Sequence, residues 1–152
     1  MISTRIAQAH DIESLVSMMD EFYAESNYIL NHEEAWSGFA FLLSDAALGS
    51  IWVASVNNQD VGYVVMARRF SMEHGGMVAE IDDLFVRQEW RGQGVGKLLL
   101  QELFQQGRAQ GIVTVRVEVD ADNQTAQHLY RRFGLLPHTD NRQTLVGTVA
   151  DN

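Results

Sequence analysis

The sequence predicts one α/β domain with a mixed, mostly antiparallel sheet flanked by helices. Three observations carry this. Stretches with strand-like alternation and stretches with helical spacing follow one another along the 152 residues. The strand-like stretches of the first half are joined by short turns, which suits antiparallel neighbours. The chain has one proline, Pro137, and no linker, repeat or low-complexity tract to divide it.

Ser3-Thr4-Arg5-Ile6 reads as a short first strand. From Asp11 to Glu25, apolar Ile12, Leu15, Val16, Met19 and Phe22 recur at helical spacing, and Asp11 can cap the start. A second short helix is expected over 33–43. SIWVASV (50–56) and VGYVVMARR (61–69) are rich in β-branched and aromatic residues, and Asn57-Asn58-Gln59-Asp60 joins them as a hairpin turn. Residues 77–87 form another strand after the turn His74-Gly75-Gly76. The period then changes: Val95, Leu98, Leu99 and Phe104 keep helical spacing until Gly111 ends the run. IVTVRVEV (112–119) alternates as a strand, and 123–133 read as a helix stopped by Gly134. Leu135-Leu136 and 144–149 are expected as two last strands. The predicted order is β-α-α-β-β-β-α-β-α-β-β.

Composition narrows the function. Hydrophobic residues make up 46% of the chain, enough for a folded core. No uninterrupted apolar segment is long enough to span a membrane, and the N-terminal MISTRIAQAHDIESL lacks the apolar stretch of a signal peptide. There is no cysteine, which excludes disulfides and thiolate-bound metals. A cytoplasmic location fits these facts. The five histidines, at 10, 32, 74, 128 and 138, lack metal-ligand spacing, so no metal is expected. A net charge of −9 disfavours a nucleic-acid partner and is compatible with attraction of a cationic substrate or with solubility alone.

The most informative stretch is EWRGQGVGKLLL (89–100), with three glycines in five positions ahead of a helical run. It is not a P-loop, because Arg91 stands where the first glycine belongs and Leu98 replaces the metal-binding hydroxyl. It is not the dinucleotide fingerprint, because Lys97 occupies the third glycine position. The pattern that fits is R-x-x-G-x-G at Arg91, Gly94 and Gly96, with Leu84-Phe85-Val86 ahead of it. Farther on stands Asn123-x-x-Ala126-x-x-x-Tyr130-x-x-Phe133-Gly134. In this order, joined by a helix and a strand, the two patterns resemble motifs A and B of the GNAT acetyltransferase superfamily. The likeness covers 77–136 by motif and the preceding part by topology. It implies the acyl-CoA N-acyltransferase fold, its sheet splayed between the fourth and fifth strands, with acetyl-CoA as cosubstrate.

Physical chemistry and the resemblance together suggest roles. Amides at a helix N-terminus bind anions, and the resemblance implies that those of Arg91, Gly92, Gln93, Gly94, Val95, Gly96 and Lys97 cradle the coenzyme's pyrophosphate. The resemblance places the pantetheine arm between strands 84–87 and 115–119, with Leu84, Phe85 and Val86 along it. A β-bulge near Phe85-Val86 would free an N–H for the thioester carbonyl. Asn123 is expected to hydrogen-bond the arm, to cap a helix, or both.

Attack on the thioester needs a neutral amine, and ordinary amines have a pKa near ~10. Glu80 and Asp82, two apart on one strand, are the expected bases, acting directly or through water. The resemblance sets Glu80 where the histone-acetylating branch keeps a base glutamate, and Asp82-Asp83 where the polyamine-acetylating branch has an acidic pair. Glu118 is a third candidate. Tyr130 matches the family's general acid for the leaving thiolate. Asp82, Asp83, Tyr28 and Glu118 are expected around the acceptor. Without a cysteine there is no acetyl-cysteine intermediate, so direct attack in a ternary complex is expected. The acceptor expected is a polyamine- or aminoglycoside-like cation. The alternatives are a protein N-terminus or lysine, and a non-catalytic acyl-CoA sensor. A homodimer is compatible with the sequence.

Overall fold

The computed structural model of the protein describes residues 1–138 and 141–149. Its elements, in order, are β1 (Ile2–Ile6), α1 (Ile12–Ala24), α2 (His32–Leu43), β2 (Gly49–Val56), β3 (Gln59–Ser71), β4 (Gly76–Val86), α3 (Val95–Ala109), β5 (Ile112–Val117) and α4 (Gln124–Arg132). The strands form one sheet in sequence order, antiparallel from β1 to β4, with β5 parallel to β4. The parallel pair needs a crossover, and α3 provides it.

A core lies on each face of the sheet. Ile51, Val53, Tyr63, Val65 and Phe85 point to α1 and α2, whereas Trp52, Ala54, Val64, Met66, Ala79 and Ile81 point to α3 and α4. Burial on both faces explains why β2 and β3 read as continuous apolar runs rather than alternating ones. Their connection is tighter than the predicted four-residue turn. Asn57 and Asn58 alone turn the chain, with φ of 50° and 64°, values that asparagine tolerates and a two-residue hairpin requires.

Asp11 stands at the start of α1 but makes no cap bond to a helix amide. Its carboxylate instead accepts from the Gln8 amide at 2.8 Å and from both terminal nitrogens of Arg5 at 2.7 and 2.8 Å. The Arg5 hydrogen bonds hold its pKa below the usual carboxylate value. This pair clips β1 to the first helix.

Two expectations change. The β4 bulge lies at Asp82, not near Phe85-Val86: Val65 pairs with Asp83 while Met66 pairs with Ile81. The two last strands are absent from the described residues, since 135–138 and 141–149 carry no regular structure. Leu136, Leu145, Val146 and Val149 are exposed and have no second surface to pack against. Strand propensity is weak without such packing. β5 is therefore the sheet's last strand among the described residues.

Candidate functional site

The site is organised by the far half of β4. The β4–β5 ladder runs from Met77 and Ile112 to Ile81 and Val117 and stops there, while β4 continues to Val86. The Asp82 bulge falls where pairing ends. A bulge strengthens local twist, which turns the last residues of β4 away from β5 and opens a wedge beside Leu84, Phe85 and Val86.

At the end of β4 the chain makes a short turn, Gln88–Trp90, and enters the glycine loop. The three glycines do different work. Gly92 and Gly94 adopt φ of +74° and +88°, and open space lies where a Cβ would stand. Their role is the left-handed backbone, which L-residues disfavour. A Cβ on Gly96 would meet Leu129 at 3.1 Å, so that glycine serves the approach of α3 to α4. The first i to i−4 bond of α3 joins the Leu98 amide to Gly94 C=O at 3.0 Å. The amides of Val95, Gly96 and Lys97 thus lack intrahelical acceptors and carry the positive end of the helix dipole.

Arg91 does not reach over this loop. Its Nε donates to Val86 C=O at 2.8 Å, its guanidinium pairs with Glu25 at the C-cap of α1, and its Cζ lies 5.6 Å from the Phe85 ring centroid. Arg87 pairs with Glu21 at 2.7 Å one turn earlier. These two ion pairs hold the end of α1 against the start of the loop. Gln93 closes the loop through a bond to Glu89 C=O at 3.0 Å, and Lys97 is exposed.

Across the wedge, α4 is capped by Asn123, whose side chain accepts from the Ala126 amide at 3.2 Å. Tyr130, on this helix, is 7% exposed. Burial, with the charge of Asp83 second, raises its phenol to about 12. It is a proton donor throughout the neutral range.

On the opposite face, Asp83 is partly buried and accepts from the Tyr63 hydroxyl at 3.2 Å. Burial and then the adjacent Asp82 raise its carboxyl to about 6, while the Tyr63 bond opposes them. Asp82 and Asp83 form one wall of a hollow of about 560 Å³ between β4, β3 and the α1–α2 region. Tyr23, Tyr28, Phe39 and Phe41 supply much of the rest.

The sequence model of the Acetyltransferase (GNAT) family matches residues 13–135. The chain belongs to this family. N-acetyltransferase 8F1 of Rattus norvegicus is 35% identical over 88 residues, 58% of this chain and 40% of that protein. The chain spans about half the length of this and a second curated relative, 40% and 56%. An integron cassette protein from the mobile metagenome of Cole Harbour Salt Marsh superposes with a TM-score of 0.85 at 34% identity, over 98% of this chain and 91% of that one. A predicted acetyltransferase of Clostridium acetobutylicum, solved with acetyl-CoA, superposes at 0.79 with 21% identity, over 96% of both chains. At that identity the likeness speaks for the fold.

Within this GNAT domain the expected site residues separate. Asp82, Asp83 and Tyr28 meet in the hollow, and Tyr130 lies across the sheet within reach of the Asp83 charge. Glu80 lies outside the hollow, held by Arg69 at 3.0 Å and Arg116 at 2.8 Å. Glu118 lines a different cavity, about 980 Å³ along β5, where Thr144 Oγ1 lies 3.5 Å from its carboxylate. Neither the glycine loop nor the Asp82-Asp83 pair borders that larger cavity, although Tyr130 does. Sequence reasoning passed over Tyr63, Phe39, Phe41 and Glu34. The first three look like ordinary core residues in a linear reading, and only their place beside Asp83 or the hollow distinguishes them. No group of three metal-ligating side chains occurs among the described residues, and no helix there is long and apolar enough to cross a membrane.

Proposed function

We propose that this protein is an acetyl-CoA-dependent N-acetyltransferase that acts on the primary amine of a small cationic acceptor by direct attack in a ternary complex. One observation carries the reading. The last five residues of β4 reach the acidic hollow through Asp82 and Asp83 at one end and lead through Gln88–Trp90 into the glycine loop at the other. A donor and an acceptor would meet there. The family membership and the acetyl-CoA in the Clostridium structure support the donor's identity.

The loop suits a pyrophosphate. The amides of Val95, Gly96 and Lys97 have no intrahelical acceptor, and open space lies at the Cβ positions of Gly92 and Gly94. The free edge of β4 beside Leu84 to Val86 suits an extended, amide-bearing arm. Asn123 can add its side-chain amide N–H groups, because its cap bond uses only the carbonyl oxygen. When bound, acetyl-CoA supplies an activated acetyl thioester.

The remaining steps belong to the chain. Asp83 is the best-placed base. It lines the hollow and takes up a proton near pH 6, so it is ionised at neutral pH yet still accepts a proton. Asp82 beside it is exposed and adds negative charge that draws the ammonium in. Glu80, between two arginines, is poorly placed to exchange protons with an acceptor. Tyr130 holds its proton and presents it to the leaving sulfur.

A thiol-release assay with acetyl-CoA and a panel of primary amines tests the reading. Turnover with at least one amine is expected. Tight coenzyme binding with no turnover on any amine, N-terminal peptide or lysine peptide would instead assign the chain as an acyl-CoA sensor.

A further inference from the structure

The acidic hollow says more about the acceptor than its charge. Resting on the acetyltransferase reading above, we infer that the acceptor is an arylalkylamine-class molecule: one primary ammonium on a short linker from an aromatic or branched apolar body. A hydrated polycation does not fit the walls as well.

The argument begins with where charge sits. Asp82 and Asp83 are adjacent on β4, so the paired carboxylates mark a single ammonium position. Glu34, exposed on the first turn of α2, also lines the hollow. No lysine, arginine or histidine lines the hollow among the described residues. An ammonium is therefore favoured at the paired carboxylates and unopposed there.

The walls decide the rest of the molecule. Tyr23 and Tyr28 meet edge to face, their centroids 6.5 Å apart, and Phe39 packs edge to face on Tyr63 at 6.1 Å. Tyr28 and Phe41 are 67% and 68% exposed although both line the hollow, and Ile29 beside them is 99% exposed. Such side chains in solvent around a concave site favour an apolar body that covers them. Aromatic rims also attract both a ring and an ammonium held near its face.

An aminoglycoside would bring many hydroxyls to a hollow whose larger part, including Met19, Leu30, Phe39, Phe41, Leu42 and Val65, offers no side-chain partner. Each buried hydroxyl left unpaired costs about 1–3 kcal/mol. A polyamine would need carboxylates spaced along its length, whereas the two inner ones here are sequence neighbours. The volume, about 560 Å³, leaves room for a body of one or two rings.

The test is steady-state acetylation of 2-phenylethylamine, tryptamine, spermidine and kanamycin by the purified protein, followed by thiol release. At least one arylalkylamine should exceed spermidine and kanamycin by about tenfold or more in kcat/KM. Phe41→Ala removes an exposed wall residue with little risk to folding. It should raise KM for the arylalkylamine several-fold and leave KM for acetyl-CoA within twofold. Faster turnover of spermidine or kanamycin, with arylalkylamines near background, overturns the inference and leaves the acetyltransferase reading standing. An unchanged arylalkylamine KM in Phe41→Ala overturns it as well, because the hollow would then not hold the body. No turnover on any amine defeats both, and coenzyme binding measured in parallel identifies that case.

Discussion

Asp83 shows how burial turns an ordinary carboxylate into a group with pH-dependent consequences. Its folded pKa of about 6 exceeds the unfolded value of 3.8, so between these the folded state keeps a proton that the unfolded state has lost. Stability then falls as pH rises through that window, because the native fold must expel the proton against its desolvation. Asp83→Asn removes the cost. Its urea midpoint should match the parent near pH 4 and exceed it at pH 8 by the equivalent of about 1–3 kcal/mol. Activity should move the other way. The parent's kcat/KM should rise with pH through about 6, and Asp83→Asn should lose that limb and most of its turnover. If Glu80→Gln abolishes the limb instead, the base is Glu80 and the Asp83 assignment fails. Tyr130→Phe should lower kcat by about 10²-fold or more while acetyl-CoA binding, measured by calorimetry, stays nearly intact.

Among the elements, the loop into α3 and the start of α1 make distinct predictions. Gly94→Ala places a Cβ in open space but forces an L-residue to φ +88°. A loss of roughly 1–2 kcal/mol is expected, together with a raised KM for acetyl-CoA and an unchanged KM for the amine. Gly96→Ala should act through a different route, pushing Leu129 and α4, and should disturb Tyr130. At α1, Asp11→Ala strips the Gln8 amide and Arg5 of their acceptor, and a thermal melt should show a loss of about 2–4 kcal/mol. Asp11 has a lowered pKa, so its contribution is complete above the unfolded value and is lost as pH falls through the lower folded one. The sequence placed both elements to within a few residues, because helical spacing and glycine stops are local signals. It set Asp11 at the N-cap of α1, where the residue stands, but did not reveal the partners of its carboxylate. A partner on β1, six residues away, claimed the carboxylate first.

Across the whole molecule, the sheet's two buried faces separate the residues that matter to folding from those that do not. Leu99, 0% exposed against the β sheet, should cost about 2–5 kcal/mol as Leu99→Ala, whereas Leu145→Ser, at 87% exposure, should stay within about 0.5 kcal/mol. Both are leucines in apolar runs, and a linear reading treats them alike. That reading assigned strands to Leu135-Leu136 and to 144–149 for the same reason: β propensity is local, but a strand needs a neighbour and a covered face. The glycine loop, the Asn123 and Tyr130 pattern and the element order were legible because each rests on residue type and short spacing. They were enough to determine the family and to point to the donor. Which carboxylate is buried, and what shape the hollow beside it takes, belong to the tertiary structure alone. Asp83 gains its raised pKa from burial beneath α1 and α2, and Glu80 loses freedom to arginines on β3 and β5. The hollow joins Tyr23, Phe41, Val65 and Asp83, residues brought together only by folding. Local pattern encodes backbone conformation, while protonation and cavity shape depend on which distant atoms end up as neighbours.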